Sequence, residues 1–309
     1  MIDIEHEIGF FEAVNDNYDS AEFFLKISAE NGNVESQNDL GVIYERKKQF
    51  VKALFWYEKA GKNGNPIALC NAGQLYMKGQ GTKLNYEKAI QLYKKAIQMN
   101  CEFGYYLLGR MYAFGIGVEE NDQIAARYWI KGSKISVCDR GCNLFCGYIY
   151  EYGIGVKKDE QKAFKYYQLA TDQGNYGAKY YLGKCYLEGK GVAPDIEYGI
   201  KLCYESAFEG CSHAMFELAK IYGTDEYGKK NDKLCLYWLN LGVCQDDQNC
   251  LLKLAELAIK GEMISVDLNL AHQYLERFLE LCPEENEEMM NKYYDLQKSL
   301  NNMQNIQNL

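Results

Sequence analysis

The sequence predicts an all-α solenoid, a stack of about eight helix pairs closed by a C-terminal capping helix. The first observation behind it is a recurring phrase: Leu40-Gly41-x-x-Tyr44, Ala72-Gly73-x-x-Tyr76, Leu108-Gly109-x-x-Tyr112, Cys146-Gly147-x-x-Tyr150, Leu182-Gly183-x-x-Tyr186 and the degenerate Leu218-Ala219-x-x-Tyr222. The small residues are spaced by 32, 36, 38, 36 and 36 positions. A period in this range marks units too small to bury their own apolar faces, which must stack on their neighbours. The second observation is the periodicity inside each unit. In Gly104, Leu108, Gly109, Tyr112 and in Ala125, Tyr128, Trp129, Gly132 the spacings keep each set on one helical face. Each unit is therefore a helix A followed by a helix B. Continuous self-similarity outweighs chain length, so the 309 residues are expected to form one elongated array.

The elements follow in order. Extending the register backward places Gly9 on a first helix A and Ala21, Leu25 and Ser28 on its helix B. The pairs are expected over 1–32, 33–65, 66–100, 101–136, 137–175, 176–211, 212–247 and 248–281. Glycine pairs Gly79/Gly81, Gly115/Gly117, Gly153/Gly155 and Gly189/Gly191 follow helix A, where a left-handed residue commonly ends a helix. A phosphate-binding loop would need a preceding strand and further glycine or lysine at defined spacing, and neither is present. The first two units lack the glycine pair and are shorter. Asn31-Gly32-Asn33, Asn63-Gly64-Asn65 and Gly174-Asn175 end helices B and start the next unit. After Cys282-Pro283, the run Glu284-Glu285-Asn286-Glu287-Glu288 suits a helix N-terminus. Met289, Tyr293, Leu296 and Leu300 give it one apolar face, so a capping helix is expected over 282–300 and a flexible polar tail over 301–309.

Composition narrows the partners. A formal net charge of −9 disfavours nucleic acid, which requires clustered Lys and Arg. No stretch approaches the roughly 20 apolar residues that span a bilayer, and the acidic start Met1-Ile2-Asp3-Ile4-Glu5-His6-Glu7 is unlike a signal peptide, so a cytoplasmic protein is expected. Several of the twelve cysteines fill small-residue positions: Cys142 and Cys250 stand where other units have Ser36, Ala68, Gly104, Ala178 and Ala214, and Cys235 stands where they have Ala53 or Ala89. The spacing of Cys138, Cys142 and Cys146 would place three thiols on one helical stripe, yet a closed metal site needs a fourth ligand. No metal or cofactor is expected.

These residues resemble the Sel-one-like repeat, a relative of the tetratricopeptide repeat. The likeness is closest in Ala178-x-x-x-Leu182-Gly183-x-x-Tyr186-x-x-Gly189-x-Gly191-Val192 and Lys162-Ala163-x-x-Tyr166-Tyr167-x-x-Ala170, and covers about 33–281. The resemblance implies a right-handed α/α superhelix that scaffolds protein complexes and is not an enzyme. It leaves a secreted or host-directed bacterial effector as an alternative, and a β-lactamase-type hydrolase as a more remote one. A secreted branch of the family carries regularly paired cysteines, and the cysteines here do not recur in pairs at the repeat interval. Ser-x-x-Lys, Lys-Thr-Gly and Gly-x-Ser-x-Gly motifs are absent, and His6, His213 and His272 fall in separate units.

If helix A lines the inner surface, two rows of residues face a groove: Val42, Gln74, Arg110, Tyr148, Lys184, Lys220, Glu256, and Asn38, Cys70, Tyr106, Leu144, Tyr180, Phe216, Leu252. The middle units then offer Arg110, Lys184 and Lys220 beside Tyr106, Tyr148 and Tyr180. That combination suits an extended peptide or protein segment carrying carboxylates.

Overall fold

The computed structural model describes residues 3–135, 141–281 and 286–307, and among them there are seventeen helices and no strand. They divide into two compact units, Met1–Asn175 and Tyr176–Leu309. The division falls at a repeat boundary, in keeping with repeats that pack mainly on their neighbours.

The first unit contains five helix pairs. They are α1 (Ile4–Val14) with α2 (Tyr18–Glu30), α3 (Val34–Arg46) with α4 (Phe50–Lys62), α5 (Pro66–Lys78) with α6 (Tyr86–Gln98), α7 (Glu102–Ala113) with α8 (Asp122–Gly132), and α9 (Cys142–Tyr152) with α10 (Glu160–Asp172). The second contains α11 (Tyr176–Glu188) with α12 (Ile196–Phe208), α13 (Ser212–Gly223) with α14 (Asp232–Cys244), α15 (Gln248–Lys260) with α16 (Leu268–Leu281), and the single helix α17 (Glu287–Gln307). Within each unit the helices pack sequentially, most closely inside a pair. In the first unit, α1 also touches α3, α5 touches α7 and α7 touches α9, and no two successive B helices there pack as extensively among the described residues. The A helices therefore form the inner side of that unit.

The recurring phrase explains the packing. In four repeats its glycine is the point where helix A meets an aromatic ring of helix B: a Cβ on Gly41 would lie 2.5 Å from the Tyr57 ring, and Gly73, Gly109 and Gly147 press equally closely on Tyr93, Trp129 and Tyr167, whereas Gly183 meets Cys203 and Gly199. Its tyrosine fixes the turn through the backbone. The carbonyls of Tyr76, Tyr112, Tyr150, Tyr186 and Tyr222 accept the N–H of Asn85, Asn121, Asp159, Asp195 and Asn231 at 2.8–3.0 Å. Those same five residues are the N-caps of the B helices, each accepting a backbone N–H three residues on, at 2.9–3.1 Å. One residue thus closes the turn with its backbone and starts the helix with its side chain. Asn121→Ala should lower stability by about 1 kcal/mol, read from denaturant unfolding.

The glycine pairs are turns, as expected. Gly79 ends α5 in the left-handed region at φ 65°, with its N–H bonded to the Tyr76 carbonyl at 3.4 Å. The second glycine has a further role. A Cβ on Gly81 would lie 2.5 Å from the Phe50 carbonyl group and 2.7 Å from the Val51 nitrogen, at the start of the preceding helix B. Gly155 meets the Asp122 carbonyl in the same way, and Gly117 meets the side chain of Tyr86, the first residue of its preceding helix B. The turn of one repeat docks on the N-terminus of helix B in the repeat before it.

At the C-terminal end, Leu300 is fully buried against Leu251, Ala255, Leu275 and Phe278, and Tyr293 stacks on Phe278 at 5.7 Å. Met289 and Leu296 join them. The polar tail expected from Asn301 is instead helical to Gln307, because Met303 continues the Leu296–Leu300 face and packs on the same cluster. The acidic run Glu284-Glu285 with Cys282-Pro283, and Cys138 of the thiol stripe, lie outside the described residues.

Candidate functional site

The inner, A-helix side of the first unit opens into a cleft of about 630 Å³. Helix α1 contributes His6, Glu7 and Phe10, helix α3 contributes Glu35, Asn38, Asp39 and Val42, and Asn71 and Phe103 come from α5 and α7. Asn38 and Val42 head the two rows predicted to face the groove. A polar rail crosses the floor: Asn71 donates to Asn38 Oδ1 at 3.1 Å, and Asn38 donates to Asp39 at 3.2 Å. Burial pushes the Asp39 carboxyl up from its ordinary value, opposed by the Asn38 hydrogen bond and the nearby His6.

His6 lies between Ser36 and Asp39, a combination that invites comparison with a catalytic triad. The geometry excludes one. Its Nδ1 faces both Ser36 Oγ, at 2.8 Å, and Asp39 Oδ2, at 4.0 Å, whereas a triad uses opposite ring nitrogens for serine and carboxylate. Ser36 is also fully buried, hydrogen-bonded to Ser28 at 2.6 Å. This network ties α1 to the next repeat.

The residues predicted from the middle units divide between the two compact units. In the first, Tyr106 stacks on Phe103 at 6.0 Å, and Arg110 lies 5.7 Å above the Tyr106 ring. Among the described residues no carboxylate pairs with Arg110. Tyr148 is 37% exposed and packs on Tyr152 at 4.6 Å. Phe103 lines the cleft, and Tyr106 and Arg110 follow it on successive turns of α7. In the second unit, Lys184 lies 5.9 Å from the Tyr180 ring, and Lys220 lies 5.7 Å from that of Phe216. Both lysines already hold carboxylates of their own helices, Lys184 with Glu188 at 3.6 Å and Lys220 with the buried Glu217 at 2.7 Å. Lys220 and Phe216 line a cavity of about 280 Å³ together with Lys253. Tyr180 is half-buried, and burial with Glu217 nearby pushes its phenol up.

The profile described as Sel1 repeat matches residues 34–65, 66–101, 103–134, 142–175, 177–207, 212–247 and 249–281. The chain belongs to the Sel1 repeat family. A solved Sel1 repeat protein from Oxalobacter formigenes is 27% identical, with a TM-score of 0.66 over 77% of this chain and 99% of that one. The protective antigen c5321 of uropathogenic Escherichia coli shares the fold at 22% identity, with a TM-score of 0.60 over 97% of this chain and 68% of its own. Among curated proteins, the ERAD-associated E3 ubiquitin-protein ligase component HRD3B of Arabidopsis thaliana is 34% identical over 103 residues, 31% of this chain and 16% of that protein. The sel1-like repeat-containing protein L21 of Acanthamoeba polyphaga mimivirus is 29% identical over 176 residues, 56% of this chain. The chain spans only 16% and 25% of these two relatives' lengths. No described helix is long and apolar enough to cross a membrane.

Two features of these Sel1 repeats escaped the sequence reading. One is a buried phenol–carboxylate pair behind the helix A glycine. Tyr57 donates to Glu45 at 2.8 Å and Tyr167 to Glu151 at 2.7 Å. The repeat that follows Tyr57's has Met77 at the glutamate position, and its Tyr93 hydroxyl is buried without a partner. The signal was present, since a glutamate four residues after the glycine accompanies tyrosine on helix B in both cases.

The other feature is Cys211, which precedes α13. Burial opposes its ionisation, but hydrogen bonds with His213, the Ala214 N–H and Ser206 outweigh it and hold the thiol below its ordinary value. Burial pushes Cys203 up to about 12 and raises Cys235 and Cys250. Alkylation of the native protein followed by mass spectrometry should therefore modify Cys211 and the exposed Cys244 well before Cys203, Cys235 and Cys250.

Proposed function

We propose that this protein is a non-catalytic interaction scaffold that holds a segment of another protein against its A helices. The observation that carries this reading is the inner face of the first unit. There the packing phrase leaves an open cleft with aromatic walls and polar groups, followed on α7 by Tyr106 and Arg110. Membership of a repeat family supports it, because stacked repeats build extended binding surfaces. So do the relatives named as components of an E3 ubiquitin-protein ligase, which are parts of an assembly.

Within this reading, Tyr106, Arg110 and Tyr148 in the first unit, and Tyr180, Lys184 and Lys220 in the second, contact the partner. Arg110 is the strongest candidate for a carboxylate of the partner, because Lys184 and Lys220 already have acidic neighbours. The partner is recovered by affinity capture from the source organism, identified, and titrated against purified protein. Combined Arg110→Ala, Lys184→Ala and Lys220→Ala should weaken it about tenfold, with Arg110→Ala giving most of the loss. Unchanged affinity would remove the cationic site. Hydrolysis of a chromogenic β-lactam above the buffer rate would overturn the non-catalytic part.

A further inference from the structure

The cleft at the N-terminal end of the first unit has a charge that the cationic residues further along do not share. Glu7, Glu35 and Asp39 line it, and no Lys or Arg does. On the neighbouring helix α2 the carboxylates are neutralised: Lys47 holds both Asp19, at 2.7 Å, and Glu22, at 2.5 Å. Among the described residues neither Glu7 nor Glu35 has a cationic partner. Asp39 has only His6, 4.0 Å away and already bonded to Ser36. The site thus combines a volume large enough for a long side chain, aromatic surface at Phe10 and Phe103, and a half-buried carboxylate at its floor.

Resting on the scaffold reading above, we propose that this cleft is a docking site for a cationic protein segment, receiving an arginine or lysine side chain. The charged head meets Asp39 between Glu7 and Glu35. Its aliphatic stem gains apolar and cation–π contact from Phe10, which is 54% exposed, and from Phe103. The Asn38–Asn71 pair offers amide groups to the backbone of the segment. Charge complementarity decides the occupant: a carboxylate-bearing segment would be repelled here, whereas Arg110, further along α7, is a cation with no carboxylate partner among the described residues.

The test is fluorescence anisotropy of the full chain with two labelled peptides of equal length, one of arginine and glycine, the other of glutamate and glycine. The arginine peptide should bind, and weaken steeply as salt rises. Asp39→Asn combined with Glu35→Gln should weaken it about tenfold. Glu119→Gln with Glu120→Gln, which removes equal charge from an exposed turn, should not, and circular dichroism should show every variant folded. Equal loss in both double variants, or none in the first, would overturn the inference by reducing binding to the general negative charge. Absence of arginine-peptide binding would overturn it as well. In that case, glutamate-peptide binding that Arg110→Ala abolishes would leave the scaffold reading standing. Failure of the scaffold reading is registered separately, by the affinity capture yielding no partner that titrates against the purified chain.

Discussion

Gly81→Ala should lower stability by about 2–4 kcal/mol, whereas Gly32→Ala costs about 1 kcal/mol. Both glycines have positive φ, 71° and 100°, so both substitutions force an L-residue into the left-handed region. Only one adds a clash. A Cβ on Gly32 meets nothing within 4 Å, but on Gly81 it runs into the Phe50 carbonyl and the Val51 nitrogen. Those are backbone atoms of α4 and cannot rotate aside. The turn between α5 and α6 must then lift away from α4, which weakens one interface of a structure whose stability is a sum of nearest-neighbour terms. Urea unfolding followed by circular dichroism reads both losses. Gly81→Ala should also broaden the transition, because the repeats on either side become less coupled. Equal losses for the two variants would show that the second glycine only permits the turn.

A comparably diagnostic pair lies in the core. Tyr57→Phe should cost about 2 kcal/mol, since it removes a hydrogen bond to a carboxylate from a residue that is 1% exposed. Tyr93→Phe occupies the same repeat position and should change stability by less than about 0.5 kcal/mol, or raise it slightly, because its buried hydroxyl bonds to nothing. Burial and the Glu45 carboxylate also push the Tyr57 phenol well above its ordinary value, so its hydroxyl keeps the proton it donates at neutral and mildly alkaline pH. The measurement is again denaturant unfolding. Similar losses at the two positions would mean that ring packing against Gly41 and Gly73 carries the energy and the hydroxyl of Tyr57 adds nothing.

The fold was legible because its rules are local and repeated. Leu-Gly-x-x-Tyr, the glycine pairs and the Met289–Leu300 face each place residues at fixed spacing on a helix, and the structure puts them where that spacing requires. Features that depend on contacts between helices were harder to read. The double role of Asn121 and its equivalents needs the tyrosine carbonyl one turn away in space, which no helical period records. The end of α17 was placed too early because Asn301 and Asn302 are polar, although Met303 extends the buried stripe past them. The groove rows pass through the cleft at Asn38 and Val42 of α3. They weighted basic residues and so passed over the acids of the cleft, Glu7, Glu35 and Asp39, which come from two repeats and from positions outside both rows.

The central claim is that the repeated phrase is spent on packing, so that function resides in what it leaves free on the A helices. Hydroxyl-radical footprinting of the chain with its identified partner tests this directly, because both faces carry exposed rings. Phe10 and Tyr148 mark the A helices, at 54% and 37% exposure, while Phe23, Phe55 and Tyr237 mark the B helices, at 61%, 59% and 51%. Partner binding should suppress oxidation of Phe10 or Tyr148 and leave Phe23, Phe55 and Tyr237 as reactive as in the free chain. Protection of the B-helix rings with Phe10 and Tyr148 unchanged would contradict the account.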